Sequence, residues 1–149
     1  MSAENAALVR RALATINAVG ETDPGSLDPE EVAPDVWARL DPDMELHERS
    51  DLPDAKVYRG REESKEFWRK TSELFSEVRW KPRQLIDLGH AVVIDAKVAV
   101  TGRGSDVPIE ADDVSVCWFR AGSIVRLQAF PNLEEALAAA RSVSYEGAD

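Results

Sequence analysis

The stretch MELHERSDLPDAKVYRGREESKEFW, residues 44–68, holds the change of period on which the fold turns. It opens with clean alternation. Met44, Leu46 and Glu48 fall on one face of a strand; Glu45, His47 and Arg49 fall on the other. The second face is polar and reads as solvent. The first is apolar except for Glu48. A carboxylate on a face meant for burial is costly unless it is paired, hydrogen-bonded, protonated or open to a wet cavity. Broken packing rules of this kind are expected at functional sites more than elsewhere. SDLPDAKVYRG then reads as a loop. From Arg61 to Val78 the period becomes helical, with Phe67, Trp68, Thr71, Leu74, Phe75 and Val78 on one stripe.

Downstream, the period falls to two. Strands are predicted over Arg79–Leu88, Ala91–Thr101, Ile109–Arg120 and Ser123–Phe130, joined by LGH, GRGSD and a tight AG hairpin turn. A helix is predicted from Leu133 to Ser142, with Asn132 as N-cap and Glu135 at N3, and the tail SYEGAD is expected to fray. Upstream, residues 3–19 predict a helix whose stripe is Leu8, Val9, Ala12, Leu13 and Ile16, opposite Glu4, Arg10, Arg11 and Asn17. Gly20 suits its C-cap. GETDPGSLDPEE reads as an acidic loop, and a short helix follows over Pro29–Leu40, with Asp28 as N-cap and Pro34 dividing it. DPD, residues 41–43, turns the chain into the strand at Met44. Helices first, then a run of antiparallel strands, make an α+β fold in which a curved sheet wraps the helices and buries their stripes.

At 149 residues the chain is most simply one domain, 1–149. No apolar run approaches the roughly 20 residues of a membrane span, and MSAENAALVRR shows no apolar core of a signal peptide. The single cysteine, Cys117, excludes an internal disulfide and a cysteine-based zinc site, and fits a reducing cytoplasm. A net charge of -10 argues against nucleic acid and against an anionic membrane as partners, because both demand clustered Lys and Arg. His47 and His90 have no partner at a metal-ligand spacing, so neither a metal nor a cofactor is expected.

The order of elements, with RALATINAVG, LDPDMELHE, VYRGREESKEFW, LIDLGHAVVI, GRGSD and SVCWFRAGSIVRLQAFPNLEEALAAA, resembles the SnoaL-like proteins of the nuclear transport factor 2-like superfamily, relatives of ketosteroid isomerase. The resemblance covers nearly the whole chain apart from the longer loop near residues 20–33. It implies a cone: a curved antiparallel sheet wrapped around three helices, with a C-terminal helix, a pocket between sheet and helices, and a homodimer. Activity is left open, since isomerases, cyclases, dehydratases, epoxide hydrolases and non-catalytic binders share the fold. Carried over by position, the general base of ketosteroid isomerase falls at Glu48, its oxyanion tyrosine at Ala12, and its protonated aspartate near Ser115. A base is kept while the oxyanion donors are mostly lost, which argues against a steroid isomerase of the familiar kind.

Glu48 is the leading catalytic candidate, since a carboxylate in a dry pocket holds its proton to higher pH and suits acid–base work near neutrality. The alternative is a strand-end Glu that bends to solvent or pairs with an arginine. Ser115 is the candidate oxyanion donor. Asp113, on the same strand face, is a candidate acid–base partner for Glu48; the alternative is that Asp112 and Asp113 edge the hairpin. Cys117 and Phe119 continue that face toward the pocket floor, and Trp37, Tyr58 and Trp68 are candidates for its mouth, at least one of them being plain core. Asp113 and Gln128 are the recruits for a water-activating cluster around Glu48. The partner expected is a small hydrophobic molecule, handled either by cofactor-free isomerisation or cyclisation or by a non-catalytic binding module. The outward face of the late strands, Val114, Val116 and Trp118, is expected to be an exposed apolar patch buried in the homodimer, unless the C-terminal helix covers it.

Overall fold

Alternation fixes a strand at Met44, and the computed structural model, which describes residues 2–20 and 29–146, shows what that strand joins. The chain runs α1 (Ser2–Gly20), α2 (Pro29–Val32), α3 (Pro34–Trp37), β1 (Leu40–His47), β2 (Val57–Arg59), α4 (Gly60–Leu74), β3 (Phe75–Asp87), β4 (Ala91–Gly102), β5 (Ile109–Arg120), β6 (Ser123–Phe130) and α5 (Leu133–Ser142). The strands make one six-stranded sheet in the order β2-β1-β6-β5-β4-β3. Neighbours are antiparallel except β1 and β6, which run parallel, with Leu46 beside Leu127 and His47 beside Gln128. The sheet is therefore mixed, and it is curved and unclosed. Register breaks at Leu40/Glu45, Pro82/Gln84 and Trp118/Phe119 help to bend it, because a bulge kinks its strand. The α+β cone expected from the sequence is the architecture found.

Three boundaries differ from the sequence reading. The helix predicted to reach Val78 ends at Leu74, because Phe75 turns extended (φ -123°, ψ 141°). Leu74, Phe75 and Val78 satisfy a helical and a strand pattern at once, and pairing of β3 with β4, Val78 opposite Val100, decides between them. The predicted loop before α4 contains β2, whose short VYR run completes the free edge of β1 through Glu45–Arg59 and His47–Val57 pairing. β1 starts at Leu40 rather than Met44, while the division of the second helix at Pro34 is found as expected, in two single turns separated by Ala33 at φ -137°. The predicted N-cap Asp28, residues 21–28 of the acidic loop, residues 147–149 and the side chain of Ile16 lie outside the described residues.

The concave face carries the main core: Leu8 and Val9 of α1 pack in one cluster with Val92, Ile94, Cys117 and Phe119. The AG hairpin is confirmed, with positive φ at both Ala121 (50°) and Gly122 (82°), as a two-residue turn matched to strand twist requires. The convex face corrects an expectation. Val114, Val116 and Trp118 are buried, not exposed, because Ala136 and Ala140 of α5 lie in the cluster that covers them. Trp118 Nε1–H donates to the Val143 carbonyl at 3.0 Å, and His90 Nε2 lies 2.6 Å from the Ala140 carbonyl oxygen, tying α5 down. The apolar patch that argued for a homodimer is thus absent from this face. Beyond α5 the face is ionic, with Arg83 on Asp95 (2.8 Å) and Asp112 (3.1 Å), and Lys81 on Glu110 (2.7 Å). Among the described residues no helix is long and apolar enough to cross a membrane.

Candidate functional site

Curvature leaves a cavity of about 240 Å³ between the concave face and α1, α3 and α4. Most of its wall is apolar, including Leu8, Met44, Leu46, Ile94 and Leu127 and the rings of Trp37, Phe67, Trp68 and Trp80. Glu48, Asp113 and Ser115 break that apolar wall, as do Ser64, turned to the Met44 sulfur, and His47, which reaches the cavity edge and not only solvent, its ring 2.8 Å from Glu45.

Strand register puts Glu48 and Ser115 at one level. Cys117 pairs with Leu127, and Leu127 with Leu46, so they form one row across the sheet. Ser115 pairs with Ala129 in the next row, and Glu48 follows the last β1–β6 pair, His47–Gln128, which brings it level with Ala129. Glu48 and Ser115 are therefore two strand spacings apart, roughly 10 Å of backbone, on the concave side of a curved sheet. Asp113 is one step further along β5.

Glu48 is half-buried just past the end of β1. Its Oε1 accepts the Lys56 N–H at 3.2 Å, and its own N–H donates to the Lys56 carbonyl at 3.0 Å. A backbone N–H thus holds one of its carboxylate oxygens. Asp113 Oδ2 accepts the Trp80 indole N–H at 2.6 Å. Loss of water around Asp113 lifts its pKa above the usual aspartate value, against the pull of the Trp80 hydrogen bond and the Arg49 charge. Asp112, in contrast, turns to Arg83 on the convex face, so edging the hairpin is its role and not that of Asp113. Ser115 lines the cavity with no hydrogen-bond partner among the described residues. Burial pushes the Cys117 thiol up to about 12, so it lines the wall as a neutral, inert group.

Trp37 and Trp68 line the cavity, whereas Tyr58 and Phe119 do not. Tyr58 is 2% exposed in a core cluster with Met44 and Leu46, with the Phe67 ring 5.7 Å away. Phe119 lies one step deeper than Cys117, in the core that α1 closes. Gln128 faces the convex side, where the Arg126 guanidinium bonds it, and Phe130 stands there 6.4 Å from the Trp118 ring; Asp113 alone remains as a recruit near Glu48. Sequence reasoning missed Trp80 and misplaced Asn17. Asn17 is a clamp and not a solvent-facing residue: its Nδ2 donates to the Trp80 carbonyl (2.5 Å) and its Oδ1 accepts the Trp80 N–H (2.7 Å). Trp80 shares the inward face of β3 with Val78, so its side was legible in the alternation, but its partners were not. Ala12 lines the cavity and supplies no donor. Among the described residues no group of three or more His, Cys, Asp or Glu is placed to hold a metal ion.

A family model described as a SnoaL-like domain matches residues 9–127. Among solved structures, an NTF2-like protein of unknown function from Burkholderia pseudomallei is 20% identical, with a TM-score of 0.67 over 90% of this chain and 95% of that one. A protein from Jannaschia assigned as a SnoaL-like polyketide cyclase is 16% identical, with a TM-score of 0.68 over 93% of this chain and 92% of that one. TerC, crystallised with polyporic acid, is 18% identical, with a TM-score of 0.67 over 93% and 95%. At these identities the likeness is one of fold. No curated protein matches the sequence.

Proposed function

This chain belongs to the SnoaL-like domain family, and on that premise we propose that its cavity binds a small, largely apolar molecule and moves a proton on it without a cofactor. The observation that carries the reading is Glu48. It opens onto a mostly apolar wall, level with the Ser115 hydroxyl. In the reaction proposed, Glu48 takes a proton from a carbon beside a carbonyl. The proton returns to another carbon in an isomerisation; in a cyclisation the enolate carbon attacks a second carbonyl, whose π bond opens to an alkoxide that takes the proton back from Glu48. Ser115 donates a hydrogen bond to the developing oxyanion. The polyketide cyclase assignment of the Jannaschia protein and the polyporic acid bound to TerC support this choice of chemistry and of flat ligands. We place the protein in the cytoplasm on the strength of its single, buried cysteine.

A second reading, a non-catalytic binding module, is favoured by Ala12, which leaves the site short of a donor whose loss typically costs about 10²–10³ in rate. One experiment separates them. Thermal unfolding of wild type and Glu48→Gln is measured against aromatic ketones, terpenoids, polyketides and steroids, and turnover is then assayed with whatever binds. A ligand at 100 times its Kd adds about 2.7 kcal/mol of stability. The enzyme reading expects Glu48→Gln to keep binding and lose turnover by about 10²-fold or more. Full turnover in Glu48→Gln excludes the base role. Binding with no wild-type turnover leaves the module.

A further inference from the structure

We infer that the corner of the cavity bounded by Trp68, Trp80 and Asp113 is a subsite for a cation, and that the molecule taken is a small lipophilic amine bound as its ammonium. This rests on the reading that the cavity binds a small molecule, and adds the charge of that molecule.

Three elements build the corner. Asp113 stands on β5, Trp80 of β3 holds its Oδ2 at 2.6 Å, and Asn17 of α1 fixes the Trp80 backbone at both its N–H and its carbonyl. The carboxylate is held in place, with no hydrogen bond to Oδ1 among the described residues. Trp68 and Trp80 meet edge-on, centroids 6.1 Å apart at 67°, and both line the cavity. Indole faces attract an ammonium by their quadrupole, and do so more strongly where water is excluded.

Charge then discriminates between ligands. No lysine or arginine lines the cavity, while Glu48 and Asp113 both do. Arg49 acts on Asp113 from nearby, but its guanidinium is held by Asp51 through Nε (2.9 Å) and Nη2 (2.7 Å). An anion would meet two carboxylates, and the imidazole on the wall, His47, is already engaged by the Glu45 carboxylate at 2.8 Å. A neutral molecule would leave the free oxygen of Asp113 without a partner in apolar surroundings, which is costly. An ammonium answers that oxygen, gains from the indoles and leaves Glu48 free as the base. The net charge of -10 raises the local concentration of cations further.

The test uses benzylamine, benzyl alcohol and benzoate, which share a ring and differ in charge at neutral pH. Binding to wild type, Asp113→Asn and Glu48→Gln is measured by calorimetry. Benzylamine is expected to bind wild type at least about tenfold tighter than benzyl alcohol, with benzoate weakest. Asp113→Asn should bring the amine down to the alcohol and leave the alcohol unchanged, while Glu48→Gln should keep the amine preference. An alcohol that binds as well as the amine overturns the inference and leaves the cavity reading standing. Loss of preference in Glu48→Gln alone moves the cation to Glu48 and also overturns it. No binding of any probe overturns both. Should Asp113→Asn fail to fold, the Trp80 indole N–H resonance of wild type decides: benzylamine should shift it and benzyl alcohol should not, and a resonance unmoved by saturating amine refutes the subsite.

Discussion

Asp113 is the residue whose proton the fold controls most directly. Burial outweighs the Trp80 hydrogen bond and the Arg49 charge, so its folded pKa lies above that of the unfolded chain. Between an ordinary aspartate value of about 3.9 and that raised value, the native state binds more protons than the unfolded state. The stability Asp113 contributes is therefore complete below the unfolded value and is lost as pH rises through the folded one. Asparagine at this position has no such proton but still offers an oxygen to the Trp80 indole. The melting temperature of Asp113→Asn relative to wild type is thus expected to climb as pH rises from acid toward neutral, then level off. A difference that stays flat across that range would mean that Asp113 titrates as an ordinary surface carboxylate. This residue also marks a limit of sequence reading. Glu48 was legible because it contradicts its own strand, Met44 and Leu46 being its neighbours on that face. The hold on Asp113 was not, because Trp80 is 33 residues away from it and Asn17 another 63 from Trp80. Each side chain looks ordinary within its own element.

At the scale of elements, α5 decides what the convex face becomes. Asn132 accepts the Glu135 N–H at 2.9 Å, and the Glu135 carboxylate takes a hydrogen bond back from the Asn132 amide at 3.0 Å. The helix that this cap starts covers Val116 and Trp118, each 0% exposed. Asn132→Ala is expected to cost about 1 kcal/mol, or roughly 2–4 °C of melting temperature for a chain this size, measured by calorimetric unfolding. A loss near zero would show that packing against Trp118 holds the helix without its cap. Elements of this kind were readable because their signals are local: a cap three residues from its partner, an AG turn, a strand that alternates over its length. The end of α4 was not, because Leu74, Phe75 and Val78 fit both periods and only the presence of β4 alongside chooses. The parallel pairing of β1 with β6 was also hidden, since it depends on where the helices between them return the chain and not on any residue in either strand.

For the whole molecule, the question is what a second copy could bury. The sequence predicts a homodimer through Val114, Val116 and Trp118, and α5 already covers them. The rest of the convex face is a set of ion pairs satisfied within the chain, Lys81–Glu110 and Arg83 with Asp95 and Asp112. Pairs already made within one chain offer a second copy little to gain, and a partner docking on them must strip their water while two copies of charge -10 repel. Association through this face is therefore expected to be weak. Salt screens the long-range repulsion of net charge, but because these pairs are satisfied within the chain it adds no attraction between copies. Sedimentation equilibrium at micromolar concentration should accordingly show the 16.4 kDa species as the main one in high salt. A dimer that persists there must be held by apolar contact, and among the described residues the large apolar side chains left exposed are Leu52, Leu74, Val107 and Ile109. Leu74 closes α4 beside Arg103, while Ile109 opens β5 opposite Val100, so these two lie toward the same end of the sheet. Ile109→Glu would then dissociate that dimer while leaving the cavity, and any ligand stabilisation measured through it, unchanged.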